Sequence, residues 1–290
     1  MKMTPIEYYA PGMTITPPCF IANMPNDVYH SHPEGISSTG LKSVLRSPAH
    51  FKFQAAKEPS RAMTIGTAIH AALLEPERFA SDYVLLREVK DRRASEYKEA
   101  VKTHGTEVVL TSGEADNVIG MQEAVLSNPL MRSRLTGEGW RELSLFVRDP
   151  DTDVLVRVRY DLLLTGGTIV DVKKTQDARP DAFSRAVDNY SYDLSAALYV
   201  DAFEWATGEV PQFEFAAVEE SMPHGHKLYQ PCDTTLNEGR RKYQEALATF
   251  AECEVSGVWP SLPCEEPEII SLPGYRLAQI ENALEDGGIY

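Results

Sequence analysis

The sequence predicts an α/β domain with a mixed central β-sheet flanked by helices. Three observations carry this expectation. Residues 140–148 and 154–174 read as three successive strands with period-2 alternation, the last two joined by a Thr165-Gly166-Gly167 turn. Helical patterns of period 3.6 flank them, at 63–74 before and at 180–188 and 192–207 after. Two further strands, 213–219 and 227–231, then precede a helix over 233–251.

Taken in order, residues 1–35 are rich in Pro, Tyr and Met without periodicity and read as an irregular N-terminal arm. The domain proper is expected over 36–260, followed by an acidic tail over 261–290 with one short helix around 276–284. Ser37-Ser38-Thr39 offers a cap for GLKSVLR, and Ser47-Pro48 repeats the start signal before AHFKFQAAK. Residues 63–74, MTIGTAIHAALL, are apolar nearly all round and predict a buried helix, with Gly66 admitting close approach of another backbone. Residues 87–107 are charged and exposed, with helix at 94–102. A short strand follows at 108–111, Ser112 caps the next helix, and Asn128-Pro129 ends it.

Composition sets the class. With 43% hydrophobic and 24% charged residues over 290 positions, the chain has the make-up of a globular protein. No run approaches the ~18 apolar residues of a membrane span, and the start lacks the apolar core of a signal peptide, so a cytoplasmic location is expected. The four cysteines show no CxxC pair, which argues against structural zinc, an iron–sulfur cluster or a disulfide framework. The net charge of −15 argues against a protein that coats DNA non-specifically, yet a cleft carrying bound cations can still admit DNA. The acidity is uneven: from Glu252 onward eight acids face only Arg276.

The chemistry concentrates in VLVRVRYDLLLTGGTIVDVKK, residues 154–174. Strand alternation puts Arg157, Arg159 and Asp161 on one face, opposite Val154, Val156, Val158 and Tyr160. Asp171 and Lys173 share a face in the next strand, while Lys174 points the other way. Asp is a poor strand former, and a carboxylate among Ile169, Val170 and Val172 is unfavourable unless a cation faces it. Asp161, then Asp-x-Lys beginning ten positions on at Asp171, is similar to the PD-(D/E)XK nuclease pattern. His70 reads from the residues either as a hydrogen-bonded core histidine or as a ligand. Arg157 and Arg159 read either as phosphate contacts or as partners of Glu142.

Several segments together resemble the nuclease domain of exonuclease VIII, the RecE family of phage recombination systems. They are MPNDVYHSHPEGISSTGLKSVLRSPAHF, IGTAIHAALLEPERF, RYDLLLTGGTIVDVKKTQDARPDAFSRAV, YSYDLSAALYVDAF and the late Val258-Trp259-Pro260. The resemblance covers most of residues 20–260 and implies a restriction-endonuclease-like core and a metal-dependent DNA exonuclease. It implies that His70 is a metal-binding histidine, Asp161 and Asp171 the catalytic acids, Lys173 the lysine and Glu142 an upstream glutamate. One departure stands on the helix after the lysine. Relatives carry Gln four residues before a Tyr, whereas here Ser195 precedes Tyr199, and serine reaches less far toward water or phosphate.

What the resemblance implies is chemically coherent. Carboxylates at Asp161 and Asp171, the Val172 carbonyl and His70 suit Mg²⁺, with Mn²⁺ as a substitute. Lys173 sits against the attacking water or the developing charge. The implied substrate is the end of linear double-stranded DNA, cut 5′ to 3′ to expose single strands for an annealing protein, and the implied assembly is a homo-oligomeric ring. The competing readings are a catalytically weakened nucleic-acid-binding relative that keeps the fold, and a hydrolase of small phosphate esters, for which no Gly-rich phosphate cradle is present.

Overall fold

The computed structural model describes residues 5–55 and 60–285. In chain order the elements are β1 (Ile6–Tyr8), β2 (Cys19–Ala22), α1 (Asn26–Ser31), α2 (Ser38–Arg46), α3 (Pro48–Lys52), α4 (Arg61–Leu74), α5 (Pro76–Asp82), β3 (Val84–Leu86), α6 (Ser95–His104), β4 (Val109–Thr111), α7 (Ser112–Ser127) and α8 (Pro129–Leu135). They continue with β5 (Gly139–Arg148), β6 (Leu155–Leu164), β7 (Thr168–Thr175), α9 (Pro180–Asn189), α10 (Tyr192–Thr207), β8 (Gln212–Glu219), β9 (His226–Tyr229), α11 (Asp233–Ser256) and α12 (Gly274–Glu285).

The predicted mixed sheet is present. Seven strands run in the order β1-β2-β5-β6-β7-β8-β9. The meander β5-β6-β7 is antiparallel, whereas β7 and β8 are parallel, linked by the crossover through α9 and α10. The β6–β7 connection is the three-residue hairpin its glycines announce, with Gly167 at φ 79° as this loop requires. One face of the sheet carries a core built with α2, α10 and α11, including Leu41, Leu198 and Tyr243. The other carries a core with α4 and α7, including Ile69, Ala72 and Val118.

The N-terminal arm is not irregular. All four residues of β2 are buried, and β2 pairs antiparallel with β5 through Cys19–Phe146, Phe20–Leu145 and Ile21–Ser144. A short apolar run buried on both sides has no period to read, and the prolines before it conceal it further. A second sheet, β3 parallel to β4, pairs Val84–Leu86 with Val109–Thr111, and of these only β4 was foreseen. The helix after Ser112 begins one residue earlier in effect, because Glu114 accepts from both the N–H and the hydroxyl of Thr111. Helix α3 ends at Lys52, short of the predicted run, whose last residues 56 and 57 lie outside the described residues. The tail helix falls where expected, as α12, while Ile269 and Ile270 before it are fully exposed. The final residues 286–290 lie outside the described residues.

Candidate active site

The site forms where β6 and β7 part. Their ladder holds only Leu162–Val170 and Leu163–Ile169, and the strands fork at Asp161 and Asp171. The fork strips the Val172 N–H of a strand partner on that side, and the Asp161 Oδ2 accepts it instead at 2.8 Å. Strict alternation also fails here. Tyr160 packs in the α10-side core, Leu162 in the α4-side core, and Leu163 in the α10-side core again. Opposite, β5 breaks at Glu142, whose φ of 50° is a left-handed conformation that costs a non-glycine residue about 1–3 kcal/mol. Glu142 and Asp161 thus face one another between the pairs Arg141–Leu162 and Leu143–Tyr160.

The kink brings Glu142 and Asp161 to His70 of α4. One ring nitrogen and one oxygen from each carboxylate lie within 4.8 Å of one another. His70 Nδ1 is 3.5 Å from Asp161 Oδ2, and its side chain keeps 26% of its exposure, so it is not a core histidine. Burial pushes the Asp161 carboxyl up to about 6; His70 pulls it down and the Asp171 charge pushes it up again. Gly66 does not serve close packing as expected, since a Cβ there would meet nothing within 4 Å among the described residues.

Asp171 and Lys173 lie toward α10 and α2. Lys173 Nζ is 2.5 Å from Asp171 Oδ2. Burial alone would push the ammonium down, but Asp171 and Asp161 together outweigh it and hold it above the usual lysine range. That buried Oδ2 still accepts no hydrogen bond of ordinary geometry. Lys173 also lies 5.2 Å from the centre of the Tyr192 ring. Lys174, on the opposite side of the strand, pairs with Glu220.

The two arginines take structural partners. Arg159 donates to Glu142 at 2.7 Å and to the Met24 carbonyl at 2.9 Å. Arg157 donates to the carbonyls of His30, His32 and Glu34. Both lie over the Tyr29 ring, at 5.6 Å for Arg157 and 5.2 Å for Arg159. They fasten the arm to β6, and Arg159 additionally holds Glu142, so of the two sequence readings the pairing with Glu142 is the one realised for Arg159. On α10, Ser195 is buried, and the Tyr199 carbonyl accepts the Tyr160 hydroxyl at 3.1 Å while the two rings meet edge to face. Sequence reasoning missed Lys42 of α2, half-buried at 5.7 Å from the Tyr192 ring. Its only signal was its place on a capped helix.

The donor set fits a divalent cation. Two carboxylates, from Glu142 and Asp161, stand with one imidazole nitrogen, while Asp171 at the same fork is engaged by Lys173.

Residues 37–273 match a family described as a PDDEXK-like domain of unknown function, DUF3799. The chain belongs to this family. Among solved structures, one named "Putative exonuclease" from Eubacterium rectale is 14% identical, covers 88% of this chain and 97% of that one, and superposes with a TM-score of 0.61. It is similar in fold. A second, of SSO0001, is 11% identical over 66% of this chain and 86% of that one, with a TM-score of 0.27, too distant to inform the fold. No curated protein matches the sequence. For this PDDEXK-like domain, the fork with Asp161, Asp171 and Lys173 is therefore the place to look for its chemistry. No described helix is long and apolar enough to cross a membrane.

Proposed function

We propose that the chain is a metal-dependent exodeoxyribonuclease that degrades linear double-stranded DNA from its ends. The observation that carries this reading is the His70–Glu142–Asp161 cluster set beside the Asp171–Lys173 pair at the strand fork of a PDDEXK-like sheet. The similar structure named as an exonuclease supports it. His70, Glu142, Asp161 and Asp171 would hold Mg²⁺, with the Val172 carbonyl as a further oxygen donor and Mn²⁺ as a substitute.

When bound, the cation supplies Lewis acidity toward the phosphodiester. Lys173 would donate to the charge that builds on the phosphoryl oxygens. Arg159 keeps one Glu142 oxygen engaged, which leaves the other to face the site. Ser195 and Tyr199, on α10, would position water or phosphate, the serine through a shorter reach than Gln allows. The 5′ to 3′ polarity, a role in phage-type recombination, an annealing protein as partner and a ring-shaped homo-oligomer follow from the resemblance in sequence and belong to the same reading.

The test is digestion of linear and closed circular duplex with Mg²⁺, the products resolved by length. Loss of the linear form with the circle intact is expected. Nicking of the circle would sink the exonuclease reading. Binding of duplex without cleavage would favour the weakened nucleic-acid-binding relative, which the serine at 195 makes worth testing.

A further inference from the structure

Lys42 stands in an unusual position for a lysine in a chain with 43 acids and 28 Lys and Arg residues. Its ammonium lies 5.7 Å from the Tyr192 ring centre, and Lys173 approaches the same ring at 5.2 Å. The charged groups around it are Lys173 and Asp171 of β7, Asp193 of α10 and Lys242 of α11. Each of these already has a partner. Lys173 holds Asp171 at 2.5 Å, and Lys242 holds Asp193 at 2.7 Å and reaches Asp188 at 3.6 Å. Lys42 makes no ion pair and no hydrogen bond among the described residues.

Burial and the two neighbouring ammonium groups lower its pKa to about 8 against the partial compensation of Asp171 and Asp193. An unpaired, half-buried cation beside two more cations is unfavourable in the free protein. An anion from outside the chain removes that penalty. The position also selects the anion's chemistry: an ammonium offers three donors, which suits the oxygens of a phosphate, and Lys173 brings a second ammonium to the same Tyr192 ring.

We propose that Lys42, with Tyr192 and Lys173, forms a phosphate subsite that takes a backbone phosphodiester of bound nucleic acid beside the metal cluster. This rests on the nuclease reading, which it deepens by naming a substrate contact on α2. Lys42 acts on binding, and the cation cluster of His70, Glu142 and Asp161 does not depend on it.

The experiment compares the full chain with Lys42→Gln and Lys42→Arg. Affinity for an end-labelled linear duplex is measured by fluorescence anisotropy with Ca²⁺ over a range of salt. Lys42→Gln should weaken binding about tenfold near 0.1 M salt. It should also reduce the slope of log affinity against log salt by about 1, since one phosphate neutralisation is lost. Lys42→Arg should keep the slope, and Mn²⁺ affinity should be unchanged in both variants. An unchanged slope and affinity in Lys42→Gln overturns the proposal, as does a lowered melting temperature with an unchanged slope, which marks a structural lysine. If the unmodified chain binds no duplex, the nuclease reading fails, and inorganic phosphate alone then decides the subsite. A phosphate-induced rise in melting temperature that Lys42→Gln abolishes would sustain an anion subsite. An equal effect, or none, on both proteins would overturn it.

Discussion

The carboxylates at the fork stand in two environments that differ in what neutralises them. On the α4 side, Glu142 and Asp161 meet an imidazole, and the Lys173 ammonium is a lesser influence on Asp161 than His70 is; their donors are the Arg159 guanidinium and the Val172 N–H, each occupying a single oxygen. On the α2 and α10 side, Asp171 and Asp193 stand among Lys42, Lys173 and Lys242. The first side has spare negative charge and suits a cation. The second has one lysine, Lys42, without an acid partner, and that ammonium suits an anion.

The largest expected effect falls on the second half. Lys173→Ala should lower the rate of duplex digestion by ~10²–10³ while Mn²⁺ affinity stays near that of the unmodified chain. Stability should fall too, because Asp171 is left buried and unpaired. The double variant Asp171→Asn/Lys173→Ala removes that unpaired charge and should recover stability without activity, which separates the two roles. Undiminished digestion by folded Lys173→Ala protein would erase the division between the halves.

His70→Ala probes the first half. With its ring partly exposed and one carboxylate at 3.5 Å, the histidine contributes little packing, so the melting temperature should move by no more than a few degrees. Loss of one ligand should weaken Mn²⁺ binding about 10–100-fold by calorimetry, with digestion falling in step. A large loss of stability with normal metal affinity would return His70 to the role of a structural residue.

A third measurement sharpens the contrast in charge. The Asp161 carboxyl sits at about 6 in the folded chain, raised by burial, against an unfolded value near ~3.9. Between these values the folded state binds more protons than the unfolded state. Stability without metal therefore declines as pH rises through that window, and the loss is complete above it. Asp161→Asn retains an oxygen to accept the Val172 N–H but carries no charge. It should raise apo stability at pH 7 by about 1–3 kcal/mol, flatten the dependence between pH 4 and 6, and abolish the gain from added Mn²⁺. A pH profile unchanged by the substitution would show that Asp161 carries no excess charge.

Much of this site was legible in the residues because strand alternation and spacing are local properties. Asp161, Asp171 and Lys173 follow from one hairpin, and the period of 3.6 set α10 at residues 192–207, as found. The same local logic failed where the chain departs from its period. It could not show that alternation breaks at Glu142 and Asp161, since a positive φ at Glu142 is imposed by tertiary packing. Nor could it decide whether Arg159 meets phosphate or Glu142, because its pairing with Glu142 and its bond to the Met24 carbonyl depend on a strand kink and an arm without periodicity. Lys42 was beyond reach for a simpler reason: its neighbours come from β7, α10 and α11, more than a hundred residues away.

The smallest effects come from two glycines, one on each side, and they test whether the halves are built alike. At Gly239 of α11 a Cβ would lie 2.2 Å from the Asp193 carbonyl oxygen, so α11 approaches α10 closely only because that position has no side chain. Gly239→Ala must push the helices apart, and a loss of about 1–3 kcal/mol is expected in chemical denaturation. The shift would also carry Lys242 away from Asp193, which it holds at 2.7 Å. At Gly66 of α4 a Cβ meets nothing within 4 Å among the described residues, and the residue sits in a helix interior. Gly66→Ala should therefore stabilise by about 0.5–1 kcal/mol through helix propensity. Gly66 lies one turn before His70 on the same helix. Gly66→Leu would place bulk at that position, where a Cβ meets nothing within 4 Å among the described residues. If DNA passes there, Gly66→Leu should raise KM for linear duplex while leaving Mn²⁺ affinity intact, and an unaltered KM would place the substrate wholly on the lysine side of the fork.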